Sequence, residues 1–150
     1  MPESLCDRFP RVRPEELVAG LQPPPHFGHV SFDSYVPDPY YVSQSAAVAA
    51  ARAFVEAGAP PVKRRLFRKA TPPEARPGIY FDGGFGVGKT HLLASVWHAA
   101  PAPKAFGTFV TCTHLVGALG FAGAVEALSD RTLVFIDEFE LDDPGDTVLM

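Results

Sequence analysis

Apolar positions recur with a helical period in three stretches of this chain, and β-formers gather into short runs in three others. Over 43–58, Val48, Ala51 and Val55 form a narrow stripe with Ala47 and Phe54 beside it. Ser43 supplies an N-cap and Gly58 with Pro60 a stop, so the pattern predicts a helix over 44–57. After Lys89, the spacing of Leu92, Leu93, Val96 and Trp97 predicts a second helix that ends before Pro101. A third spans 114–128 with Thr113 as its cap. Its three glycines, Gly117, Gly120 and Gly123, each weaken it by up to ~1 kcal/mol relative to alanine, and a break is expected near Gly120. The short runs are Ile79-Tyr80-Phe81, Phe106 to Thr111, and Leu133-Val134-Phe135-Ile136, each rich in β-formers. The last reads as a strand buried on both faces. Strands interleaved with helices give an α/β chain.

Upstream the pattern is broken by proline. Pro14 with Glu15 and Glu16 starts a short helix that ends near Gly20. Pro23-Pro24-Pro25 is an extended spacer. From Phe27 to Tyr41, Phe32, Tyr35, Tyr40 and Tyr41 surround Pro37 and Pro39, which predicts an irregular segment pinned to the body by its rings. Two regions follow: a Pro- and aromatic-rich segment over 1–42 and an α/β domain over 43–150.

Composition narrows the classes. At 150 residues, 47% apolar and 20% charged, the chain can bury one modest core. A net charge of −4 does not advertise a nucleic-acid partner. No apolar run approaches the ~20 residues of a membrane helix, and Met1 to Pro10 lacks the apolar region of a signal peptide. Cys6 and Cys112 are scattered thiols without metal spacing, and a reducing cytoplasm fits them. The five cations within Lys63 to Lys69 suit contact with nucleic acid or an acidic partner, or a solvated connector, and the prolines just beyond them speak for the connector.

Candidate chemistry is concentrated in Gly83-Gly84-Phe85-Gly86-Val87-Gly88-Lys89-Thr90, which reads G-x-x-x-x-G-K-T between a predicted strand and a predicted helix. Backbone N–H groups reach an anion only where side chains are absent, and Gly83, Gly84, Gly86 and Gly88 remove them. The helix start adds unpaired donors and the positive end of its dipole. Lys89 can reach β- and γ-phosphates, and the Thr90 hydroxyl can ligate Mg²⁺.

A second acidic stretch completes the pattern. Leu133 to Ile136 ends in Asp137-Glu138. Behind a phosphate loop, Asp137 suits the Mg²⁺ of a bound nucleotide. Glu138 suits the general base that activates water, which points to ATP hydrolysis. Asp142-Asp143-Pro144-Gly145 spells D-x-x-G but lacks a strand directly before it and is read as a turn. His91 is expected as a helix-start residue near the phosphates, and the histidines show no H-x-x-x-H spacing for a metal.

The loop Gly83 to Thr90 with His91-Leu92-Leu93 behind it, together with Asp137-Glu138-Phe139 and its polar continuation, resembles the ZapE-type AAA+ ATPases of cell division. Phe106 to Val110 and His114 to Gly120 resemble the actinobacterial branch. The resemblance implies a P-loop NTPase with a three-layer αβα core, ATP and Mg²⁺ as cofactors, and remodelling of a protein partner, FtsZ or other septal proteins, by a homo-oligomer that associates peripherally with membrane. It implies that Lys89 and Thr90 hold phosphate and Mg²⁺, that Asp137 coordinates the metal and that Glu138 activates water. By the same analogy Tyr40, Tyr41 and Gln44 cover the adenine. In AAA+ cores the strand order is 5-1-4-3-2, so the strand over 78–82 is expected to lack both of its neighbours. The chain is accordingly expected to be truncated, and a non-catalytic module that binds nucleotide or protein is the alternative.

Overall fold

In the computed structural model, residues 13–58 and 78–139 are described. The run Lys63 to Lys69, Cys6 and the turn at Asp142 to Gly145 lie outside the described residues.

The first helix, α1 (Pro14–Ala19), starts at a proline and carries Glu15 and Glu16 in its first turn, as its sequence dictates. A short 3-10 turn (Pro25–Phe27) follows the proline run. Helix α2 (Val42–Ala57) begins one residue before the expected cap: Tyr41 occupies the N-cap position and makes no side-chain cap bond. Ser43 therefore sits inside the helix. Gly58 ends it with φ +70°, as the C-terminal glycine predicts.

Helix α3 (Lys89–Ala99) leaves the glycine loop. Strand β1 (Lys104–Thr108) comes two residues earlier than the apolar run suggests. The Thr108 hydroxyl then accepts from the Thr111 N–H and caps α4 (Phe109–Leu128). Helix α4 thus starts five residues before the predicted His114, because Thr108 takes the capping role assigned to Thr113. The expected break is present: Gly120 has φ +71° and ψ 162°, a conformation essentially reserved for glycine. Strand β2 (Leu133–Asp137) ends at the acidic pair.

The strands pair in parallel in the order β1-β2, with Lys104 opposite Leu133 and Thr108 opposite Asp137. Side chains alternate across β1, and each face is covered. Phe106 stacks on Phe135 (6.2 Å between ring centroids) within a cluster that takes in Ala51 of α2 and Ala94, Val96 and Ala100 around α3. Ala105 faces the other way, onto Val18 and Leu21 from the region of α1 and Leu115 and Ala124 of α4. The free edge of β1 is partly used: the Phe106 N–H donates to the Leu21 carbonyl at 2.9 Å.

Three expectations change. Residues 78–82 are extended but form no strand among the described residues, and only Ile79 and Phe81 are half-buried. Among the described residues no strand pairs with this segment, so its β-forming sequence has no ladder there. Strand β2 is not buried on both faces: Val134 is 44% exposed, while Phe135 is buried. Finally, α4 is long and apolar enough to cross a membrane by length and composition, although little of it is buried. Its threonines, His114 and Glu126 interrupt the apolar run and hide this from a count of consecutive residues.

The C-terminal end of α3 is closed by a cation. Lys104 Nζ donates to the carbonyls of Ala100 (2.7 Å) and Trp97 and lies 4.3 Å from the centroid of the Trp97 ring. Its ammonium lies over the indole face and meets the negative end of the helix. Lys104→Met is therefore expected to lower stability by about 1–2 kcal/mol in urea denaturation.

Candidate nucleotide site

Two segments far apart in sequence meet at the mouth of α3. The loop 83–88 turns on Gly86 (φ +73°) and Gly88 (φ +87°), which take left-handed conformations that side chains disfavour. Gly88 is also the N-cap of α3, so the loop delivers the helix N-terminus and its free N–H groups to the cleft.

Lys89 folds back over the loop. Its Nζ donates to the carbonyls of Gly83 and Gly84, both at 2.8 Å. The ammonium is thus held beside the glycines by neutral acceptors, from which phosphate oxygens can take it with stronger, charge-assisted bonds.

The next residue makes the central contact. Thr90 Oγ1 donates to Asp137 Oδ1 at 3.2 Å, bridging the first turn of α3 and the tip of β2. Both are hard oxygen donors. Mg²⁺ is held by one or two protein oxygens plus phosphate and water, so this pair fits that ion and not a protein cage. In keeping with this, no group of three or more His, Cys, Asp or Glu converges among the described residues.

Glu138 follows β2 with φ +51°, left-handed backbone at a residue that is not glycine. Such a conformation costs about 1–2 kcal/mol, and residues held this way cluster at functional sites. Its side chain lines a cleft of about 440 Å³ together with Asp137, Thr90, Lys89, Gly83 and Phe139.

A larger cleft, about 880 Å³, opens on the other side of the glycine loop. It runs between the loop, the irregular segment 34–41 and the first turns of α2, and its volume is within the range of small-molecule sites. Tyr41 and Gln44 line it; Tyr40 does not and is 90% exposed. Gln44 Oε1 accepts from the Asp38 N–H at 2.8 Å, which fixes the amide so that its NH₂ faces outward as a donor. Among the loop residues, Phe85 is 95% exposed and Val87 lines the larger cleft.

Two residues at the site carry no motif. Tyr35 donates its hydroxyl to the Val87 carbonyl at 2.7 Å. His91 points from α3 toward the same segment, with Nε2 3.0 Å from Ser34 Oγ and 3.3 Å from the Ser31 carbonyl. Aromatic density over 27–41 was a signal that the segment is pinned; nothing in the sequence says that the pin is the phosphate loop. Cys112 stands apart on α4, and burial pushes its thiol above the usual pKa, away from a reactive thiolate.

No characterised protein and no solved structure matches the chain. The family model described as AFG1-like ATPase matches residues 11–150, and thus spans both the glycine loop and the acidic strand end. With that coverage, the chain belongs to the AFG1-like ATPase family, a family of P-loop ATPases.

Proposed function

We propose that the chain binds Mg-ATP across the glycine loop and the tip of β2 and hydrolyses its γ-phosphate. The carrying observation is the 3.2 Å contact between Thr90 and Asp137, which joins the two motifs into one oxygen-rich site beside Lys89. Membership of an ATPase family supports the same chemistry.

Each residue then has a role. The N–H groups of Gly84, Phe85, Gly86, Val87 and Gly88, with those of Lys89 and Thr90, cradle phosphate oxygens. Lys89 exchanges the Gly83 and Gly84 carbonyls for β- and γ-phosphate oxygens. Thr90 and Asp137 hold Mg²⁺, which when bound offsets charge on the phosphates. Glu138 orients a water and accepts its proton. Tyr41 and Gln44 face the base end of the larger cleft.

At the finer level we assign the chain to the ZapE type, which remodels a protein partner such as FtsZ in the cytoplasm as a homo-oligomer. This assignment rests on the motif resemblance alone. An AAA+-like three-layer αβα core is supported by the two covered faces of β1. A second reading, nucleotide binding without turnover, is favoured by the unladdered segment 78–82.

Calorimetric titration of the chain with Mg-ATP, beside a phosphate-release assay, separates these possibilities. Binding with release supports hydrolysis. Binding without release supports the second reading. No binding refutes both.

A further inference from the structure

Tyr35 touches the phosphate loop at its most constrained point. Its hydroxyl donates to the Val87 carbonyl at 2.7 Å. Its ring fills the space beside Gly88: a Cβ added there would lie 2.6 Å from Tyr35 Cε2. So the residue that enters α3 must lack a side chain for two reasons, its φ of +87° and the ring against it.

The ring is itself held in place. It meets His91 edge to face, with centroids 5.5 Å apart. His91 Nε2 reaches Ser34 Oγ and the Ser31 carbonyl. The Ser34 hydroxyl donates to the Ser31 carbonyl at 2.8 Å and accepts from the Ser31 N–H at 2.9 Å. With the hydroxyl proton already used, Nε2 carries the proton and donates to Ser34. Farther out, Asp33 pairs with Arg52 of α2, and the Arg52 guanidinium lies 5.0 Å from the centroid of the Phe32 ring. The Phe27 carbonyl bonds His98 of α3 at 2.9 Å. Residues 27–35 are thus fastened to α2 and α3 and reach the loop through Tyr35.

We propose that Tyr35 is a positioning residue for phosphate binding. In a trans peptide the C=O and the following N–H point in opposite directions. By holding the Val87 carbonyl outward, Tyr35 turns the Gly88 N–H away from itself, into the loop, where a phosphate oxygen can accept it. The loop is then ordered before the nucleotide arrives, and less conformational freedom is lost on binding. His91 and Ser34 act through Tyr35 by fixing the position of its ring. The proposal rests on the nucleotide reading given above and adds a residue that belongs to neither motif.

Tyr35→Phe removes one hydroxyl and keeps the ring against Gly88 and His91. The 150-residue chain and this variant are titrated with Mg-ATP and, separately, with adenosine, and the ligand-free thermal midpoints are compared. The variant is expected to bind Mg-ATP ~5–10-fold more weakly, the worth of one ordinary hydrogen bond. Adenosine affinity should stay unchanged, because it does not draw on the phosphate cradle, and the ligand-free midpoint should fall by about 2–4 °C at most, the loss of the one bond to the Val87 carbonyl. Equal Mg-ATP affinity in the two proteins overturns the proposal. So does parallel weakening toward Mg-ATP and adenosine, which marks a general role in the cleft. A wild-type chain that binds adenosine but gains nothing from the phosphates overturns the nucleotide reading itself, and the role of Tyr35 with it.

Discussion

Lys89→Ala is expected to abolish measurable Mg-ATP binding while leaving the fold intact. The ammonium contacts only the loop's own Gly83 and Gly84 carbonyls, at an exposed position, so its loss costs the ligand-free chain little. In the bound state it is replaced by nothing. A hydrogen bond to a charged partner contributes about 1.5–3 kcal/mol, so losing bonds to two phosphate oxygens weakens binding by ~100-fold or more. Titration calorimetry with circular dichroism as a fold control reads both halves of the expectation. Retained affinity in a folded variant would remove Lys89 from the site.

The second large effect is expected at Glu138. Glu138→Gln should bind Mg-ATP within about 2–3-fold of wild type, yet lose phosphate release by ~100-fold or more, the usual worth of a general base. Glutamine keeps the length and an acceptor oxygen but cannot take a proton. It also bears the same backbone cost at φ +51° as glutamate, so the substitution tests chemistry and not strain. A single-turnover assay at saturating nucleotide is the measurement. Unchanged release would assign water activation to another group. Joint loss of binding and release would assign Glu138 to the metal or phosphate site.

The site was legible where chemistry demands a fixed local spacing. For the proposed phosphate site, Gly83 to Thr90 must be contiguous because one loop and one helix turn would make the cradle, and Asp137-Glu138 must end a strand to face it. Contacts that close the site across long separations left no such trace. Tyr35 and Val87 are 52 residues apart, and Ser34 and His91 are 57 apart. Neither pair belongs to a periodic pattern, and only the ring-rich composition of 27–41 hinted at a docked segment. Helix ends were misplaced for a related reason. Thr108 and Thr113 are both competent caps, and the choice was decided by where β1 stops after pairing with β2. Residues 78–82 illustrate the converse, since their β-propensity is real but a strand also needs a partner.

The chain belongs to the AFG1-like ATPase family, and the Mg-ATP site proposed above is split between two elements, α3 and β2. Its central element is the Thr90–Asp137 pair. Asp137→Asn keeps one oxygen for the Thr90 hydroxyl, and it removes the charge and the second carboxylate oxygen that would hold Mg²⁺. The decisive measurement is ATP affinity with and without Mg²⁺, by calorimetry, for wild type and Asp137→Asn. Wild type should bind ~10-fold or more tightly with the ion present, and the variant should show little of that gain. An equal Mg²⁺ effect in the two proteins would contradict a metal held between α3 and β2.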